Sequence, residues 1–105
     1  MKKLYKTLKK IKERPGLYLG RKSLMLLDAF LGGYSICCYD LEKKIEADIF
    51  DGFQEYIQQR YNILSTQSWA KIIDFYSLSD EEAFDNFYNL YEEFLKEHPE
   101  NLETK

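Results

Sequence analysis

The chain has 105 residues, 45% hydrophobic and 31% charged, with a formal net charge of -3; that length suits one domain with one core, and that composition excludes a disordered chain. Two adjacent cysteines and a single histidine make no zinc-ligand cluster, and no apolar run approaches the roughly 20 residues of a membrane span. The charge is polarised: residues 1–22 hold nine basic groups and one acidic, net +8, and the remainder six basic and 17 acidic, net -11, an asymmetry that bears on partners more than on fold.

Helix one is predicted over Lys2 to Glu13, where Leu4, Tyr5, Leu8 and Ile11 make a narrow apolar stripe among lysines. The basic start lacks the uninterrupted apolar stretch and cleavage site of a secretory signal. Cys37 and Cys38 are neighbours on a helix, a geometry that strains a disulfide. Both observations lead to the expectation of a cytoplasmic protein with reduced, inert core thiols.

Arg14 precedes proline and is biased out of the helical region, which ends helix one. Pro15-Gly16 suits the centre of a type II turn, Leu17 to Leu19 then reads as an extended link, and Gly20 marks a bend. Ser23 is a good N-cap for the most apolar stretch, residues 23–41. Leu24, Leu27, Phe30, Leu31, Tyr34, Cys37, Cys38 and Leu41 recur at helical spacing there, with Asp28 and Asp40 as its only charges. A helix apolar over most of its circumference must be covered, so 23–41 is expected to be the central rod. Gly32-Gly33 inside it costs about 1 kcal/mol per glycine relative to alanine, which the close approach of another helix or a small kink would explain.

Residues 41–48 read as a polar connection, with helix three from Asp51 (or Asp48) to Tyr61. Asp51 and Gln54 are spaced as a capping box, and Asn62 suits the left-handed position after the helix. Ser65 or Thr66 is expected to cap helix four, with Trp69, Ile72, Ile73 and Tyr76 on its inner face and Trp69 as a core anchor. Ser79 with Glu82 is a second capping box, opening helix five, which carries Phe84, Phe87, Tyr88, Tyr91, Phe94 and Leu95 inward and stops at Pro99. Residues 1–2 and 98–105 are expected to fray. The expected fold is therefore all-α: a compact bundle of about five helices around residues 23–41, in one domain, 1–105.

No pattern for chemistry emerges. The only histidine, His98, lies by Pro99 near the end, no cationic neighbour in sequence activates the cysteines, and there is no phosphate-binding glycine loop. A non-enzyme without metal or cofactor is expected. Arg14 to Gly20 resembles the R-P-G-M-Y-I-G segment of type II topoisomerase ATPase domains, but the next helix lacks the Glu and Asn that follow there, so only turn chemistry is shared.

A longer resemblance runs from Ile11 to Leu95: RPGLYLG, KSLMLLDAFLGGY, FQEYIQQRYNI and SWAKIIDFYSLSDEEAFDNFYNLYEEFL, in that order. It is similar to small bacterial immunity-type proteins of polymorphic or contact-dependent toxin systems. The resemblance implies a cytoplasmic, non-catalytic protein that binds and blocks a cognate toxin domain. Many such toxins are nucleases with basic grooves, for which an acidic surface competes. The expected partner-binding residues are Asp74, Tyr76, Asp80, Glu81, Asp85, Glu92 and Glu93, with Arg14 and Tyr18 in the RPGLYLG turn as a second surface. The alternative is a small nucleic-acid-associated or regulatory module using Lys2, Lys3, Lys6, Lys9, Lys10 and Arg14. A third reading is a homo-oligomeric structural protein using its surplus of aromatic residues.

Overall fold

The computed structural model of the chain describes residues 3–41 and 49–102. Among them lie six α-helices and no strand, the all-α bundle the spacing predicts. They are α1 (Lys3–Glu13), α2 (Pro15–Leu19), α3 (Leu24–Asp40), α4 (Phe53–Arg60), α5 (Trp69–Phe75) and α6 (Asp80–Glu97), closed by a 3-10 turn, Pro99–Leu102. The polar connection 42–48, its possible helix start at Asp48 and the ends at 1–2 and 103–105 lie outside the described residues.

The most enclosed rod is α6, not α3. α6 buries Ala83, Phe84, Phe87, Tyr88, Leu90, Tyr91, Phe94 and Leu95, whereas the apolar α3 buries only Leu24, Leu27, Leu31 and Cys38. The reason lies in how apolar groups are distributed. α6 concentrates its large rings on one side and its acids on the other, so one face can be sealed completely. α3 spreads smaller apolar groups around its whole circumference, and a bundle this small covers just one side.

The core is largely aromatic. Phe53 of α4 meets Phe87, Tyr91 and Phe94 edge-on at ring distances of 5.9, 5.4 and 5.3 Å, and each such pair adds about 0.5–1.5 kcal/mol beyond area burial. Trp69 stacks on Phe87 at 5.0 Å and on Phe50 at 5.6 Å, the anchoring role expected of it. The buried tyrosines spend their hydroxyls on backbone carbonyls: Tyr88 donates to Leu8 O at 2.7 Å and Tyr91 to Ile49 O at 2.8 Å. Burial pushes both phenols far above their ordinary pKa, so they stay neutral donors.

The joints show where local signals held and where tertiary demands replaced them. Pro15 begins a helical turn instead of a type II turn, because its missing N–H is no loss at the first helical position. Leu17 to Leu19 are therefore helical, and Gly20 ends the turn at φ 88°, a conformation natural to glycine. Ser23 caps α3, its Oγ accepting from Leu26 N at 3.0 Å. Asp51 does not cap α4; Gly52 does, at φ 86°. Gln54 is used elsewhere, its Oε1 accepting from Trp69 N and its Nε2 donating to Gln67 O, both at 2.7 Å, which pins the start of α5 onto α4. Ser68, rather than Ser65 or Thr66, caps α5. Asn62 is left-handed as expected, with φ 55°. Ser79 caps α6 through Glu82 N at 3.0 Å, while the Glu82 carboxylate accepts from Leu78 N at 3.3 Å, one residue earlier than a standard box.

The expected fraying after His98 is not seen through Leu102. Asn101 is buried and donates to Asp51 O at 2.8 Å, and the His98 ring stacks on Phe94 at 4.6 Å. The two cysteines also differ from expectation, since Cys38 is buried but Cys37 is exposed.

Candidate protein-binding surface

α5 is short, and its polarity follows its register. Ala70, Ile72 and Ile73 point into the core. Phe75 and Tyr76, two and three residues beyond Ile73, turn outward where the helix ends. Phe75 is 76% exposed and Tyr76 49%. Tyr76 is not in the core as its spacing predicts; it lies at the surface. Its ring stacks on Tyr61 of the α4 end at 4.7 Å with planes 12° apart, and Phe75 meets it edge-on at 5.0 Å. Burial raises the Tyr61 phenol pKa, which Arg60 opposes and Glu93 and Tyr76 reinforce.

Two hollows adjoin this stack. One, of about 260 Å³, is lined by Ile63, Gln67, Ile72, Phe75 and Tyr76. The other, of about 340 Å³, is lined by Glu55, Gln58, Gln59, Asn62, Ile63 and Leu64. Ile63 lines both. Leu64 above it is 97% exposed, and Leu78 in the α5–α6 turn is 92% exposed. Large apolar groups clustered in water mark interaction sites more often than chance, and aromatic anchors in shallow relief are the usual shape of binding hot spots.

The acidic residues singled out from sequence divide into three kinds. Asp80 is structural glue: its carboxylate accepts from Ser23 Oγ and, at 3.0 Å, from Met25 N, with Arg21 at 3.5 Å, tying the start of α6 to the start of α3. Burial pushes its pKa up, but the Ser23 and Met25 hydrogen bonds and the Arg21 charge outweigh it and hold the carboxyl below its ordinary value. Asp85, Glu92 and Glu93 are engaged at the surface, with Lys22 at 2.7 Å, Lys12 at 2.6 Å and the Tyr56 hydroxyl at 3.4 Å. Asp74, beside Phe75 in sequence, and the exposed Glu81 make no ion pair with a described residue, so their charge is open to a partner.

The second expected surface is also accessible: Arg14 is exposed and Tyr18 is 46% exposed on α2, next to Leu17 at 68%. On α1, Lys3, Lys6, Lys9 and Lys10 face solvent, while Lys2 lies outside the described residues. Lys12 of that helix is drawn to Glu92, and a groove of about 340 Å³ between α1 and α6 mixes Lys9 and Lys12 with Glu13 and Glu92. Acids within the basic patch weaken the attraction to phosphate.

Sequence reasoning missed Leu64, Phe75 and Leu78. Phe75 carried one usable signal, falling off the 69–72–73–76 helix face; leucines in turns carry none. Comparison with known proteins finds no match to a family model, to a curated protein or to a solved structure.

Proposed function

We propose that this chain is a non-catalytic binding domain that neutralises a cognate bacterial toxin domain by direct contact, in the manner of the immunity-type proteins it resembles. The observation that carries the reading is Phe75, 76% exposed and backed by the stacked Tyr76–Tyr61 pair. An aromatic group so placed gains little within its own fold and has most to gain from a partner. Leu64 and Tyr76 widen the apolar contact, and Asp74 and Glu81 supply negative charge. The partner this suits has a basic groove with an apolar pocket in it, the charge pattern of a nucleic-acid-cleaving toxin.

The test is co-expression with a candidate cognate toxin domain, read as growth. Wild type is expected to protect the cell, and Glu81→Lys combined with Asp74→Lys to abolish protection while the circular dichroism stays helical. Protection that survives both this double reversal and Phe75→Ala overturns the proposed site. Protection lost only when Lys3, Lys6, Lys9 and Lys10 become Glu favours the nucleic-acid reading instead.

A further inference from the structure

The lysines of α1 divide into two sets. Lys9 and Lys12 border the groove against α6, where they meet Glu13 and Glu92. At 100° per residue, Lys3, Lys6 and Lys10 fall within about 60° of one another on a different flank, along about 10 Å of helix. All three are exposed, as is Arg14 one turn further on, and none of the four makes an ion pair with a described residue. The cations that do hold acids are other ones: Lys12 takes Glu92, Lys22 takes Asp85 and Arg21 takes Asp80. Like charges gathered in this way gain nothing within the fold and are drawn to an extended anion.

Two extended anions carry the phosphates such a row would meet, a nucleic acid and an anionic bilayer, and α2 discriminates between them. Leu19 packs against the core, which leaves Leu17 68% and Tyr18 46% exposed, three and four residues after Arg14. A nucleic-acid strand gives an exposed leucine no partner, and α1 carries no Asn or Gln to read a base edge. A bilayer surface uses both groups, the leucine at the acyl boundary and the tyrosine ring at headgroup level.

We infer that α1 and α2 form a peripheral docking face for anionic lipid. Lys3, Lys6, Lys10 and Arg14 hold the headgroup phosphates, and Leu17 and Tyr18 enter the interface. This face shares no residue with the Phe75 surface and does not depend on the toxin-binding reading.

Co-sedimentation of the full chain with phosphatidylcholine vesicles carrying about one-third phosphatidylserine, in about 0.1 M salt, tests it. Wild type is expected to pellet with these vesicles and to stay in solution with pure phosphatidylcholine. Each cation near an anionic surface is worth about five-fold in partition, so Lys6→Gln combined with Lys10→Gln should lower binding about 25-fold. Leu17→Ser, which removes a partly inserted side chain, should lower it about five-fold. All these positions are exposed, and the helical circular dichroism should not change. Duplex DNA at a phosphate concentration equal to that of the accessible lipid should leave the protein on the vesicles. No pelleting with the anionic vesicles, or equal partition of wild type and either variant, overturns the inference. Release by DNA overturns it as well and assigns the row to nucleic acid.

Discussion

Removing the Asp80 carboxylate gives the sharpest test of how the two longest helices are joined. Asp80→Ala deletes hydrogen bonds from Ser23 Oγ and Met25 N and the ion pair with Arg21. Hydrogen bonds to a charged acceptor contribute about 1.5–3 kcal/mol each when the group left behind is buried. Met25 is 43% exposed, so water can satisfy its freed N–H, and Ser23 Oγ keeps its role as acceptor for Leu26 N. The Arg21 pair is long and solvent-exposed and adds well under 1 kcal/mol. The expected cost is therefore about 2–3 kcal/mol, with roughly half of it recovered by Asp80→Asn, which keeps an acceptor without the charge. The folded-state pKa of Asp80 is depressed, so its contribution is fully present above the ordinary carboxylate value and is lost as pH falls through the folded value. Urea unfolding at about pH 7 should show the full difference between wild type and Asp80→Ala, and unfolding at about pH 2.5 a much smaller one. A cost below about 0.5 kcal/mol at neutral pH, or an equal cost at both pH values, refutes the assignment of Asp80 as the joint.

Three further outcomes follow from the same coordinates. Tyr88→Phe and Tyr91→Phe each delete one buried hydrogen bond whose acceptor keeps another donor, Leu8 O within α1 and Ile49 O from Asn101 at 3.4 Å, so each should cost about 0.5–1.5 kcal/mol; paired urea titrations check it, and a cost above about 3 kcal/mol for either refutes it. Asp28 is half-buried and its pKa is raised, chiefly by desolvation with Lys71 opposing, so its charge destabilises the fold above the ordinary carboxylate pKa and that penalty fades as pH falls through the raised value. Asp28→Asn should accordingly raise the urea midpoint at neutral pH and lose that advantage in acid. Gly20→Ala, at φ 88°, should destabilise by about 1 kcal/mol, whereas Gly33→Ala, in open helical space, should stabilise by a similar amount, both readable as thermal midpoints.

Much of the fold could be read directly because its signals are local. Ser23, Ser79 and the ring spacing of α6 act within one or two turns of chain, and each appears where the sequence places it. The misplacements arose where a side chain had two possible uses. Gln54 fits a capping box, but the orphan N–H of Trp69 and the Gln67 carbonyl lie in a different helix, invisible to local spacing. Pro15 serves a turn or a helix start equally well, and the chain takes the latter, with Leu17 N and Tyr18 N donating to Arg14 O at 3.1 and 3.4 Å. The apolar character of α3 was plain, but its side chains do not say which of their directions the rest of the chain will cover.

The candidate site was legible only in outline. Acidic character and Tyr76 stood out in sequence, yet charge alone cannot separate Asp80, held by Ser23 and Met25, from Glu81 next to it in the chain. Phe75 falls off the 69–72–73–76 face, but how far it projects is open until the length of α5 is known. Its exposure is set by where Tyr76 ends the helix, a property of the tertiary fold.

The most direct test of the proposed function is a calorimetric titration of the proposed cognate toxin domain with wild type and with Phe75→Ala. A central aromatic anchor contributes about 2 kcal/mol or more, so the dissociation constant is expected to rise at least about 30-fold with the fold unchanged. Equal dissociation constants for the two proteins would contradict the claim that this domain acts through its Phe75 surface.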